Sequence, residues 1–230
     1  MKVYEIKMKI FLRKDLTSDK AQCEICNIID STLAKKQKWL EFHKRNEFKN
    51  YCFDSLYPIP KDKIYKSNQI YTFKLRTINE KLAMYFNEYL ANEYNDTIKC
   101  LTSQIRIIPK KIIQEIYSIT PIIVKTELGY WKKNLSLKDF ERRLIQNLIK
   151  KYNIINDTNI DENFELYTSI KFNNKKPCSF KYKDINLLGD KISLNICDDK
   201  ISQELAYMAI GTGILELNGR GAGFINYRWM

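Results

Sequence analysis

Lys2-Val3-Tyr4-Glu5-Ile6-Lys7-Met8-Lys9-Ile10-Phe11-Leu12 is the stretch from which the fold is read. Tyr4, Ile6, Met8 and Ile10 fall on one face and Glu5, Lys7 and Lys9 on the other, the two-residue period of a strand buried on one side. The period then becomes helical. Over residues 18–38, Ala21, Ile25, Ile28, Ile29 and Leu33 recur at steps of three and four, with Thr17 or Ser18 available as N-cap. Strands are predicted over residues 48–56 and 69–78, the second with Tyr71, Phe73 and Leu75 facing opposite to Thr72, Lys74 and Arg76. A second helix starts near Asn79, with Leu82, Tyr85, Phe86 and Tyr89 on one stripe, and a fourth strand covers residues 98–108. The order β-α-β-β-α-β is the ferredoxin-like plan.

The second half reads the same way. Strand material over residues 112–127 leads to a helix over 136–151, where Ser136 and Asp139 resemble a capping box and Leu137, Phe140, Leu144 and Leu148 form the apolar stripe. Strands are expected over 164–172 and 179–197, then a short helix over 201–210 and a closing strand over 224–228. The chain is therefore expected to be an α+β protein of two tandem ferredoxin-like domains, residues 1–112 and 113–230. No low-complexity linker separates them, which predicts halves that pack together.

Five of the seven glycines are crowded into Gly211-Thr212-Gly213-Ile214-Leu215-Glu216-Leu217-Asn218-Gly219-Arg220-Gly221-Ala222-Gly223. A chain that spares glycine elsewhere uses it here for conformations and close approaches that a side chain would block. A dinucleotide fingerprint is excluded: its third glycine would fall at Glu216, and the seven residues after Gly223 are too few for a helix and a second strand. A P-loop is excluded because Gly213 and Gly219 are wrongly spaced and neither Ser nor Thr follows Arg220. Two readings remain. Backbone N–H groups and the Arg220 guanidinium receive phosphate oxygens, or the glycines form a tight turn closing the last hairpin.

Thirty-nine Lys and Arg against twenty-seven Asp and Glu leave a net charge of +12, which points to a polyanionic partner. No signal peptide, transmembrane run or lipidation motif is evident, so a cytoplasmic protein with no membrane partner is expected. The six cysteines suit reduced thiols in core elements better than a disulfide framework. Cys23 and Cys26 form a lone C-x-x-C without a second pair at zinc spacing, and no carboxylate constellation suggests a two-metal site. Asp198-Asp199 reads as a helix cap. No metal or other cofactor is expected.

With two ferredoxin-like halves, a terminal helix, a G-x-G-x5-G-x-G loop, a final strand and a lone histidine after the first helix, the chain resembles the CRISPR-associated RAMP endoribonucleases. Within these it is most similar to the CRISPR-associated protein six family, which cuts CRISPR repeat RNA into guide RNAs. Phe42-His43-Lys44-Arg45-Asn46-Glu47-Phe48-Lys49-Asn50-Tyr51-Cys52-Phe53-Asp54-Ser55-Leu56 resembles that family's active-site loop leading into its second strand. The resemblance implies metal-independent cleavage by the 2′-hydroxyl, leaving a 2′,3′-cyclic phosphate.

The residues suit that chemistry, since an imidazole among Lys44, Arg45 and Lys49 can move a proton at neutral pH while cations stabilise the phosphorane. His43 and Lys49 are the candidate catalytic residues. Because His43 is the only histidine, separate histidine acid and base are excluded. Some family members use a first-helix tyrosine, whereas this chain has Ile28, Ser31 and Thr32 there, so acid and base remain unassigned.

Candidate RNA contacts are Lys44, Arg45, Gly211, Gly213, Gly219, Arg220, Gly221 and Gly223. Lys138, Arg142, Arg143, Lys150 and Lys151 form a cationic ridge on one helix, preceded by Lys132 and Lys133, which is either an RNA contact or a solvated face. Lys175, Lys176, Lys181 and Lys183 offer an alternative surface. The implied partner is CRISPR repeat RNA, with effector-complex subunits and a second copy of the chain left open. The rival reading is a non-catalytic RNA-binding RAMP subunit in which His43 is incidental.

Overall fold

The structure is a computed structural model describing residues 1–230. Its first half runs β1 (Val3–Leu12), β2 (Leu16–Thr17), α1 (Ser18–Ala34), α2 (Gln37–Lys44), β3 (Tyr51–Phe53), β4 (Ile64–Tyr65), β5 (Ile70–Thr77), α3 (Glu80–Tyr89) and β6 (Ile98–Ile108). Four strands form an antiparallel sheet in the order β3-β5-β1-β6. The alternation that predicted β1 has its counterpart in the register, which sets Ile6 opposite Leu75 and Met8 opposite Phe73. Asn79 caps α3 by accepting the Leu82 N–H at 3.1 Å, a bond type whose loss costs about 1 kcal/mol.

The second half runs β7 (Ile113–Ser118), α4 (Leu137–Asn156), β8 (Tyr167–Phe172), β9 (Cys178–Tyr182), β10 (Ile185–Gly189), β11 (Ile192–Ile196), α5 (Lys200–Thr212) and β12 (Ile225–Trp229). Its sheet has the order β12-β7-β11-β8, while β9 and β10 form a separate hairpin. With that hairpin set aside as an insertion, each half places the first and third strands of a β-α-β-β-α-β unit at the centre of its sheet. This is the ferredoxin-like arrangement, present twice. Ser136 caps α4 as its spacing predicts, accepting the Asp139 N–H at 3.1 Å.

Several boundaries differ from expectation. The helix predicted over 18–38 breaks at Lys36, whose φ of −127° and ψ of 129° are extended, and a second helix then carries the chain through Lys44. Neither glycine nor proline marks that break. The strand material over 179–197 resolves into three strands, of which β11 alone joins the main sheet. Strand structure within 112–127 is confined to β7, apart from single bridges at Ile122 and Ile123.

Two apolar clusters, one of 27 buried residues in the first half and one of 24 mainly in the second, give each sheet its own core. We propose the domain boundary at residues 112/113, at the end of the short connection between β6 and β7. Packing nevertheless crosses it, for Val3 and Ile108 belong to the second cluster.

Arg76 on β5 is 1% exposed and joins the halves through three groups. Its Nε donates to Glu5 Oε2 at 2.7 Å, Nη1 to the Ile225 carbonyl at 2.6 Å and Nη2 to Asn226 Oδ1 at 2.9 Å. Burial alone would raise the Glu5 carboxyl, but Arg76 and Arg106 prevail and hold it below the usual range. Breaking a buried pair of this kind costs about 3–5 kcal/mol, because the surviving charge is left without a partner. No helix is long and apolar enough to cross a membrane.

Candidate active site between the halves

A cleft of about 730 Å³ opens where the segment joining α2 to β3 meets α4 and the glycine-rich loop. His43, Lys49 and Tyr51 line it from the first half, and Lys151, Gly219 and Arg220 line it from the second. Both predicted catalytic residues thus share one cavity with part of the predicted RNA loop.

His43 stands in the last turn of α2 and not in the loop that the sequence suggested. A helix C-terminus leaves carbonyls unpaired and favours cations. Lys49 supplies one: its Nζ donates to the carbonyls of Phe42 at 2.7 Å, His43 at 2.9 Å and Arg45 at 2.5 Å. An ammonium has three donors, and here all three hold the turn that carries the histidine. Burial lowers the Lys49 pKa from its ordinary value, with Arg220 and Arg45 acting in the same direction.

The imidazole faces a carboxylate from the first helix. His43 Nδ1 lies 3.5 Å from Asp30 Oδ1, and both atoms are buried with no other partner. The second oxygen, Asp30 Oδ2, accepts from Arg220 Nη1 at 2.5 Å. Burial works against the Arg220 charge, but Asp30 more than offsets it and holds the guanidinium above its ordinary range. Arg220 was expected to await a phosphate, whereas here it is engaged within the protein.

The glycine-rich loop is built from the inside. Positive φ values occur at Gly213 (74°), Leu215 (56°), Leu217 (61°), Gly221 (92°) and Gly223 (66°). Asn218 pins these turns, with Nδ2 donating to the carbonyls of Ile214 at 2.9 Å and Ala222 at 3.0 Å. Lys151 completes the staple. Its Nζ donates to the Gly213 carbonyl at 2.9 Å, the Leu215 carbonyl at 3.1 Å and Asn218 Oδ1 at 2.7 Å. Burial pushes the Lys151 amine down to about 7, but three oxygen acceptors match the three donors of its charged form.

This corrects the expectation for four glycines. Gly211 lies inside α5 against Val3 and Ile78, and Gly213, Gly221 and Gly223 are buried. A Cβ on Gly221 would lie 2.4 Å from Gln22 Nε2 and 2.7 Å from Phe53, while one on Gly223 would lie 2.1 Å from the Ile214 carbonyl oxygen. Their freedom is used to seat the loop on the first half, where Gln22 donates to the Gly221 carbonyl at 2.9 Å. Gly219, packed on Lys49, is the one that is partly exposed and lines the cleft.

The remaining predicted contacts are distributed unevenly. Lys44 and Arg45 are exposed at the end of α2 but do not line the cavity. Arg142 and Arg143 stand on the exposed face of α4, the first paired with Asp139 and the second donating to the Lys125 carbonyl at 3.2 Å. Lys151 leaves the expected cationic ridge, being 2% exposed. Asp30, Asn218 and Tyr51 were not singled out from sequence. Burial raises the Tyr51 hydroxyl well above its ordinary range and keeps it protonated beside the cleft.

Comparisons with known proteins bear on this arrangement. The family model described as CRISPR associated protein Cas6, C-terminal, matches residues 108–227. No curated protein matches. Among solved structures, the chain is similar to one titled "CRISPR associated protein Cas6", with a TM-score of 0.72 and 19% identity over 98% of this chain and 99% of that one. It is also similar to the product of a Cas6-related gene from Pyrococcus furiosus, with a TM-score of 0.68 and 17% identity over 98% of each chain. A Cas6 product complex aligns over 99% of each chain with a TM-score of 0.66 and 12% identity. At these identities the likeness is one of fold.

Proposed function

This chain belongs to the Cas6 family of CRISPR-associated proteins, and from that premise we propose that it is an endoribonuclease cutting CRISPR precursor RNA within its repeats. The observation that carries the reading is the position of His43. The chain's only imidazole lines the same cleft as Gly219 and Arg220, at a junction to which both halves contribute. In the reaction the 2′-oxygen attacks the adjacent phosphorus as the P–O5′ bond breaks. The products are a 2′,3′-cyclic phosphate and a 5′-hydroxyl; one proton leaves the 2′-OH and one reaches the 5′-oxygen. His43 handles one of these transfers, and metal is not required by this scheme.

Lys49, Lys125 and Arg220 line the cleft and contribute to its positive potential, while the exposed arginines of α4 offer phosphate contacts outside it. RNA partnership agrees with the +12 charge and with the structural relative titled "An RAMP protein binding different RNA substrates". A second reading, a non-catalytic RNA-binding subunit, draws support from the engagement of every Lys49 donor and of Arg220 within the protein. Incubation with the repeat RNA of the neighbouring array in EDTA, followed by end mapping, separates the two. The first expects a single cut within each repeat and a 2′,3′-cyclic end; intact RNA bound to protein favours the second. His43→Ala should then lower cleavage by about a hundredfold or more while leaving binding nearly unchanged.

A further inference from the structure

We propose that Asp30 is a positioning carboxylate that sets the tautomer of His43 and thereby assigns the imidazole the role of general base. The inference rests on the endoribonuclease reading for its consequence, although its structural part stands without it. Asp30 Oδ1 and His43 Nδ1 are buried, 3.5 Å apart, and have no other partner. That separation is about half an ångström longer than a close hydrogen bond, and such contacts commonly tighten only when substrate is bound. A carboxylate accepts and does not donate when ionised, so Nδ1 must carry the proton of a neutral imidazole that faces it. Nε2 then keeps the lone pair, on a ring that lines the cleft, and is the nitrogen able to take the proton of a 2′-hydroxyl.

The other oxygen of Asp30 is what ties this arrangement to the glycine-rich loop. Arg220 donates to Oδ2, so the carboxylate cannot turn away from the ring without breaking a charge-assisted bond. Cys26 lies on the same side of α1, and burial pushes its thiol up to about 12, leaving it neutral and no rival to Asp30. The Lys49 ammonium is held on backbone carbonyls, including that of His43 itself, and fixes the turn beneath the ring. The imidazole is thus placed by one charge from α1, one from the segment before β3 and, through Asp30, one from the loop after α5.

Asp30→Asn makes the sharpest test because it changes the hydrogen-bond sense at nearly constant size. The guanidinium can only donate, so the new amide turns its oxygen to Arg220 and its NH₂ group to His43. Nδ1 then becomes an acceptor, and the proton moves to Nε2, the wrong tautomer for a base. Because His43 is the only histidine, a sample labelled with ¹⁵N-histidine reports its two ring nitrogens without assignment. In the RNA-free parent protein with the imidazole neutral, the expected signature is protonated Nδ1 and unprotonated Nε2.

Asp30→Asn should invert that signature, keep the parent's far-ultraviolet circular dichroism and repeat-RNA binding, and slow single-turnover cleavage by about a hundredfold or more, as expected for a misprotonated base. Asp30→Glu, which restores an acceptor, should recover the parent tautomer and at least part of the rate. A protonated Nε2 in the parent, or an unchanged spectrum in Asp30→Asn, overturns the inference. Should the parent show the Nδ1-protonated form but fail to cut RNA, the enzymatic reading fails and the placement of the ring stands. If Asp30→Asn unfolds, the tautomers of the parent and of Asp30→Glu decide the matter.

Discussion

Lys151 on α4 and Asn218 in the glycine-rich loop are joined by a 2.7 Å hydrogen bond buried from solvent, and the same ammonium holds the carbonyls of Gly213 and Leu215. The lysine that the sequence placed on a cationic ridge is instead the internal fastening of the loop.

Replacing Lys151 by Met keeps the length of the side chain but strands three buried acceptors. Leaving such groups without donors costs on the order of 3 kcal/mol. Urea unfolding should show a loss of that size, and RNA affinity should fall with it because Gly219 and Arg220 lose their support. A variant as stable as the parent would show that the staple contributes little.

Lys49→Met tests whether this residue chiefly caps α2. The last turn of the helix should fray, so amide hydrogen exchange should accelerate for residues 41–45, and cleavage should fall by about tenfold or more without movement of the cut. Unchanged exchange together with slow cleavage would assign Lys49 to the phosphorane instead.

Gly221→Ala and Gly129→Ala form a matched pair. Both positions have φ near +90°, but a Cβ at Gly129 meets nothing within 4 Å, whereas one at Gly221 runs into Gln22 and Phe53. The backbone penalty alone is about 1 kcal/mol. Thermal melting should therefore drop further for Gly221→Ala than for Gly129→Ala, and equal drops would remove the packing role. A valine at position 221 is expected to destabilise the fold and not merely to block RNA.

Asp54 provides a pH dependence. Burial pushes its carboxyl up to about 7, although the Lys74 N–H donates to Oδ1 at 2.6 Å. Its folded pKa stands above the unfolded value near 3.9, so its contribution to stability is full below that value and is lost as pH rises through about 7. Asp54→Asn retains the acceptor but cannot ionise. Between pH 5 and pH 8 the urea midpoint of the parent should fall relative to that of the variant, and parallel profiles would refute the assignment.

Local periodicity made much of the fold legible. Alternation in β1, the Asn79 and Ser136 caps and the α4 stripe of Phe140, Leu144 and Leu148 are all set by near neighbours, and each has its counterpart in the structure, whereas Leu137, expected on the same stripe, is exposed in the first turn of the helix. Lys151 was legible too. Leu144, Leu148 and position 151 continue one stripe at steps of four and three, so a lysine there faces inward. Asp30 was different. A carboxylate on a helix ordinarily faces water, and its Arg220 partner is 190 positions away with no local pattern to announce it. The same distance hid the task of Gly221, whose neighbours Gln22 and Phe53 belong to the other half. The break at Lys36 was silent because no residue there forbids helix.

The Arg76 clamp also bears on the order in which the protein is made. A ribosome releases β1 and β5 long before β12, and until Ile225 and Asn226 emerge the guanidinium has Glu5 but not its remaining acceptors. Val3 waits similarly, its N–H accepted by the Tyr207 hydroxyl at 3.3 Å only once α5 has docked. The N-terminal sheet is therefore first in synthesis and among the last parts to be completed. Because Arg220 belongs to the same late segment, the surroundings of His43 reach their final form only after that segment has emerged and docked.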